Sequence, residues 1–308
     1  MSVTTPKFFV ESVFVTSKEN VYFTIALIFS IIINLALLLC TFVIGYLAIL
    51  FYLAIIFLFV QGIAVAYIKQ NSIKITKNQF GNIYDKVTEI AGTLGIRNYN
   101  QPEIYLMQSD GILNAFATRF LFRDYVVLYS DILELAFQEG EDAVNFVIAH
   151  ELAHVKRKHL SKQLWIFWGL LIPYLCSAYS RACETTCDNI ATYFVPEKAI
   201  DGLLVLMAGK KLYKQVNVAE MLKDADNDYG FWAWLSEISS SHPALAKRAY
   251  NVLKITETIT ECKNEIIAGK PKFELHPGLK AFFWFYGISC VICFLLVIVM
   301  LALPSIVG

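Results

Sequence analysis

The sequence predicts an α+β chain: a body of helices and a few strands, anchored by transmembrane helices. Three observations predict it. Long runs without charge lie near both ends of the chain. Short β-rich segments lie between residues 103 and 129. After them, His150-Glu151-Leu152-Ala153-His154 sits in a stretch that reads as a buried helix, because Asp142 to His154 holds no Gly or Pro and its apolar residues form a continuous face.

Composition supports the anchor. Of 308 residues, 57% are hydrophobic and only 17% charged, too apolar for an ordinary soluble domain. Lys and Arg balance Asp and Glu at 26 each, so no basic field attracts nucleic acid, and none is expected as a partner. The seven cysteines (Cys40, Cys176, Cys183, Cys187, Cys262, Cys290, Cys293) are odd in number, and three lie in apolar runs. Reduced thiols facing a cytosol-like compartment fit better than a secreted disulfide framework.

The expected organisation follows the apolar runs. Residues 1–20 form a mixed-charge leader. Residues 21–68 carry no Lys, Arg, Asp or Glu; one span needs about 20 residues, so this run holds two transmembrane helices with a turn near Thr41–Gly45. A cleaved signal peptide fits poorly, because the run starts late and a second span follows at once. Residues 281–303 form a third span. Lys69, Lys74 and Lys77 follow the second span, and Lys270, Lys272 and Lys280 precede the third. The positive-inside rule therefore puts residues 69–280 in the cytoplasm. The apolar stretch 164–179, broken by Pro173, has two readings: a hairpin entering the lipid bilayer with its apex near Leu171–Pro173, or a buried core helix pair. In the first, Lys156, Arg157 and Lys158 would lie at the headgroups.

The chemistry centres on the His-Glu-x-x-His pattern. Residues four apart share a helix face, so His150 and His154 can grip one Zn²⁺ while Glu151 serves as general base. A catalytic zinc needs a third protein ligand, and the reading places it at Glu184. Asp188, one turn further on, can accept the second N–H of a ligand histidine. Cys187 competes as a thiolate ligand. His159 reads as a surface or interfacial residue. His242, before Pro243, either projects into the cleft to stabilise an oxyanion or caps a helix starting near Pro243. His276 reads as structural. Asn114-Ala115-Phe116-Ala117-Thr118 begins a plausible edge strand, which can hold an extended peptide by strand addition. Segments 103–108 and 124–129 read as strands, 131–137 as a helix ended by Gly140, and 224–230 as a loop. Phe231-Trp-Ala-Trp-Leu reads best as core.

These pieces resemble the membrane zinc metallopeptidases of the HtpX heat-shock protease and CAAX prenyl protease type. The matching residues are Asn114-Ala-Phe-Ala-Thr118, His150-Glu151-x-x-His154, Ser180-Arg181-x-x-Glu184-x-x-x-Asp188, and His242-Pro243 with Arg248. The resemblance implies a zincin-like fold, mostly helical with a small β-sheet, one Zn²⁺ held by His150, His154 and Glu184, and Glu151 as base. It extends the site to Arg248. Two departures stand out. The insert between the zinc helix and Glu184 is short, where HtpX-type proteins carry two full spans, and the multi-span scaffold of the prenyl proteases is absent. The expected function is zinc-dependent endopeptidase action on polypeptides, including misfolded membrane proteins, at the cytosolic membrane face. The alternatives are a CAAX-type protease trimming lipidated tails and an inactive zinc-stabilised membrane scaffold.

Overall fold

The computed structural model describes residues 11–40, 43–96, 101–108, 115–139, 142–227 and 230–260. Asn114, Gly140, His276 and the expected third span lie outside them. In chain order the elements are α1 (Glu11–Phe14), α2 (Ser17–Cys40), α3 (Val43–Asn71), β1 (Ser72–Lys74), α4 (Gly81–Thr93), β2 (Glu103–Met107), β3 (Ala115–Phe120), β4 (Arg123–Tyr129), α5 (Ser130–Glu139), α6 (Asp142–Arg157), α7 (His159–Trp165), α8 (Leu175–Phe194), α9 (Ala199–Leu212), α10 (Val218–Asn227), α11 (Phe231–Ser239) and α12 (Leu245–Thr260). The described residues are mostly helical, with one mixed four-stranded sheet.

Helix α6 is the axis of the core. Every residue from Ala143 to Ala153 is buried, because α8, α9, α4 and the sheet cover it on all sides. The approach of α9 depends on Gly202: a Cβ there would come within 2.5 Å of Phe146 Cβ. The sheet order is β1-β2-β4-β3, with β2 parallel to β4 and the other pairs antiparallel. Strand alternation gives β4 two buried faces. Val126 and Leu128 join the α6 core, while Tyr125 and Val127 pack with Val65 and Ile68 of α3.

Among the described residues, two helices are long and apolar enough to cross a membrane, Ser17–Leu39 within α2 and Gly45–Asn71 within α3. The most apolar stretch of α3 is only 6% buried, so protein does not cover it. The Tyr46 hydroxyl donates to Asn34 Oδ1 and links the pair.

The apolar stretch after α6 forms α7, a short 3-10 turn at Phe167–Leu171, a break at Pro173-Tyr174 and the start of α8. Its inner side packs on α2, where the Gly169 N–H donates to Ser30 Oγ at 2.9 Å. Its outer side leaves Trp165, Phe167 and Leu171 exposed. The stretch is therefore not an enclosed core pair. Arg157 binds Glu11 and Glu19 at 2.9 and 3.0 Å. Helix α10 continues to Asn227, so the start of the expected loop at 224–230 is helical. In α11, Trp234 is core while Trp232 is exposed.

Candidate metal centre

Two helices bring the ligand atoms together. On α6, His150 and His154 turn their Nε2 atoms to within 3.3 Å of each other. Helix α8 crosses α6 and presents Glu184, whose Oε2 lies 3.5 Å from His150 Nε2 and whose Oε1 lies 3.3 Å from His154 Nε2. All three ligand atoms fall within 4.8 Å of one another. One turn along α8, Asp188 Oδ1 lies 3.0 Å from His150 Nδ1, a close ion-pair contact without the alignment of a hydrogen bond. Glu151 is buried on α6.

The electrostatics suit a cation. Burial opposes charge on His150, yet Asp188 and Glu184 outweigh it and push the imidazole up to about 10. Burial likewise opposes ionisation of Glu184, but His150, His154 and His242 hold its carboxyl well below the usual range. Two imidazoles and an ionised carboxylate, enclosed and converging, are the donor chemistry that zinc takes in catalytic sites. The residues fit the metal.

Behind these groups stands Arg248 from α12. Its Nε and Nη2 grip Asp188 Oδ2 and Oδ1 at 2.7 and 2.8 Å, and Nη2 lies 3.9 Å from Glu184 Oε2. Burial opposes ionisation of Asp188, and Arg248 overcomes it, keeping the carboxyl below its ordinary value. His242 reaches the site from solvent: its side chain is 61% exposed, with Nδ1 3.1 Å from Glu184 Oε2. That contact raises its pKa. Helix α12 starts at Leu245, two residues beyond Pro243. The turn carrying His242 is fixed by Arg181 of α8, whose Nη1 donates to the carbonyls of Glu237, Ile238 and Ser240 at 2.7 to 2.9 Å.

The surface reading of His159 is corrected. The residue is 2% exposed, with Nδ1 3.0 Å from His154 Nδ1 and Nε2 3.2 Å from Glu19 Oε1. Burial lowers its pKa to about 4, so it stays neutral, and its Nδ1 can accept a hydrogen bond from an N–H. Its place is set when the chain re-enters a helix after Lys158, which takes left-handed backbone and turns α7 back under α6. Glu19 has no sequence signal beyond being an acid at the head of an apolar helix. Thr16 and Phe14 pin that segment to Thr186 and Asn189 of α8.

Among the described residues, His159 also enters two other groupings of ligand-type side chains, with His154 and Cys187 and with Glu19 and Cys183. Neither suits a metal as well. Burial and the Glu184 charge push the Cys187 thiol well above its ordinary value, and burial with the Glu19 charge lifts Cys183 to about 12. Oε1 of Glu19 is already taken by Arg157 and Lys162, while Oε2 is buried without a hydrogen-bond partner.

Strand β3 is an edge of the sheet, pairing with β4 alone among the described residues, and it lies against α6. Ala115, Phe116, Ala117 and Thr118 stand opposite Leu128, Val127, Val126 and Tyr125.

Two imidazoles and a carboxylate from crossing helices, with a second carboxylate behind one ring, define a metallopeptidase-type centre. Residues 77–176 match the model of peptidase family M48, in keeping with the resemblance to HtpX-type metallopeptidases. That match supports a metallopeptidase. It takes in β2 to α6 with the His-Glu-x-x-His pattern and ends before Glu184, so the arrival of Glu184 at the two histidines is an independent observation. No curated protein and no solved structure matches the chain.

Proposed function

We propose that the chain is a membrane-anchored zinc endopeptidase that cleaves polypeptides at the cytosolic membrane face, in the quality control of misfolded membrane proteins. The observation that carries this reading is the contact of Glu184 with both His150 and His154 at 3.5 and 3.3 Å. In it, His150, His154 and Glu184 would hold one Zn²⁺, and Asp188, locked by Arg248, sets its negative charge 3.0 Å from His150 Nδ1, where it favours a proton on that nitrogen and leaves Nε2 for the metal. The bound ion would supply Lewis acidity and bring the pKa of water towards about 7.

The remaining work belongs to the chain's own residues. Glu151 takes a proton from the attacking water and delivers it to the leaving amine. The β3 edge aligns an extended substrate through backbone hydrogen bonds. His242, tied through Nδ1 to Glu184, offers Nε2 to the oxyanion. α2 and α3 cross the bilayer, and the lysines following α3 orient the domain to the cytoplasm.

The test is Glu151→Gln. Zinc content should stay at one per chain while cleavage of an unfolded protein falls by about 10²–10⁴-fold. Turnover near that of the wild type would reject Glu151 as the base. Equal zinc with no cleavage by either protein, across a broad unfolded panel, would favour the scaffold reading.

A further inference from the structure

The β3–β4 hairpin ends in a tip with no obvious place in a water-facing protein. Leu121 and Phe122 form the two-residue turn, 60% and 90% exposed. Such turns favour Asn and Gly, because they need left-handed backbone. Here Leu121 adopts φ 50°, which costs a branched side chain conformational energy. The sequence thus places two large apolar side chains where local preference asks for small polar ones.

The tip also has a definite height along α3. Phe120 Cζ lies 3.4 Å from where a Cβ on Gly62 would be. Gly62 precedes Lys69 by seven residues, or about 10 Å at 1.5 Å per residue, towards the middle of the uncharged run. Phe59 and Ile63 of α3, at this level, are exposed. The tip therefore continues the bare apolar surface of the helix. Between tip and helix lies a cleft of about 460 Å³ lined by Val65 and Ala66 among others. Charge resumes one step higher. Lys69 Nζ sits 5.1 Å over the Tyr125 ring, and the Arg123 side chain is 73% exposed beside Glu103.

We propose that the Leu121–Phe122 tip dips into the lipid bilayer beside α3, its side chains among acyl chains and Lys69 and Arg123 at the phosphates. Cations at headgroup level and apolar groups below them are the arrangement an interfacial insertion requires. The inference rests on the reading of α3 as a membrane span. Its consequence is geometric. Strand β3 climbs from the tip to Ala115, five steps or about 17 Å at 3.4 Å per residue. The hairpin thus acts as a spacer that sets how far a substrate segment must emerge from lipid before it pairs along the edge.

The experiment uses the full chain in vesicles of phosphatidylcholine and phosphatidylglycerol, with the photo-crosslinking amino acid p-benzoylphenylalanine replacing one residue at a time. Phe122 tests the tip, Phe59 tests α3 as a span, and the exposed Glu89 of α4 is the aqueous control. Phospholipid adducts are read by mass spectrometry. Adducts at Phe122 and Phe59, at least tenfold above Glu89, are expected. Adducts at Phe59 without any at Phe122 would overturn the tip insertion and leave the span standing. Absence of adducts at Phe59 would overturn the span and the inference with it. Crosslinks from Phe122 to a second copy of the chain in place of lipid would overturn it as well.

Discussion

His159→Phe tests whether the buried neighbour of His154 supports the metal site. With His154 Nε2 directed at the metal position, its Nδ1 carries the proton and donates to His159 Nδ1 at 3.0 Å, and His159 Nε2–H in turn donates to Glu19 at 3.2 Å. Phenylalanine keeps the ring volume in a 2% exposed site but leaves the His154 N–H without its acceptor. A buried donor left unpaired costs about 1–3 kcal/mol. The His154 side chain is 19% exposed, so water recovers part of the loss and the lower half of the range applies. At about 1.4 kcal/mol per tenfold, zinc binding should weaken about 5–30-fold. Glu19 keeps Arg157 and Lys162, so the fold should persist. Chelator competition measures the affinity, and the absorption spectrum of the Co²⁺-loaded protein reports the ligand geometry. His159→Asn places a carbonyl oxygen near the lost Nδ1 and should restore much of the affinity. Zinc affinity of the phenylalanine variant within twofold of wild type would refute the supporting role.

Three further outcomes follow from other parts of the fold. Gly202→Ala puts a methyl 2.5 Å from Phe146 Cβ, an atom that no rotamer change can move, so α9 must back away from α6; the expected loss is about 1–3 kcal/mol in denaturant unfolding. Arg181→Met removes the donor to three carbonyls before His242; kcat/KM should drop about tenfold with zinc content unchanged, and amides 237–242 should exchange faster with deuterium. Glu103 is lowered from 4.5 to about 2: burial opposes the shift, and Lys74, Tyr105 and Arg123 prevail. A depressed carboxylate contributes stability above its unfolded pKa and loses it as pH falls through the folded one. Glu103→Gln should therefore cost about 1 kcal/mol at pH 7, small because Lys74 and Arg123 are largely exposed, and the difference from wild type should shrink from pH 4.5 and vanish near pH 2.

What the sequence made legible is whatever local periodicity encodes. The His-Glu-x-x-His helix, the β-rich segments at 103–108 and 124–129 and the long uncharged runs each repeat at the spacing of their own element. Glu184 and Asp188 were readable because their i, i+4 spacing on a helix mirrors that of the histidines. The contacts that complete the centre carry no such signature. Arg181 belongs to the motif that carries the resemblance, but nothing in its spacing says what it holds until α11 is seen to end against it. Glu19 and His159 are 140 residues apart in sequence, and only the packing of α2 under α7 joins them. β1 has three residues, too few for alternation to show. The segment 224–230 reads as a loop from sequence, yet α10 runs to Asn227, with Met221 and Leu222 packed against the core.

The short insert between the two halves of the centre constrains the architecture further. His154 and Glu184 meet at 3.3 Å, so the chain between them must leave and return on one side of any bilayer. Two full crossings would need about 40 apolar residues, more than the 29 available. Instead the chain folds α7, the 3-10 turn and the first part of α8 against α2, where Ala26 meets Gly169 and Ser30 accepts its N–H. Helix α2 therefore has two duties. Its middle gives the insert a surface to lie on, and its first turn delivers Glu19 to His159. Helix α2 and the candidate metal centre are one packed unit, because an apolar helix long enough to cross a membrane also supplies the carboxylate at the end of the chain of hydrogen bonds behind His154.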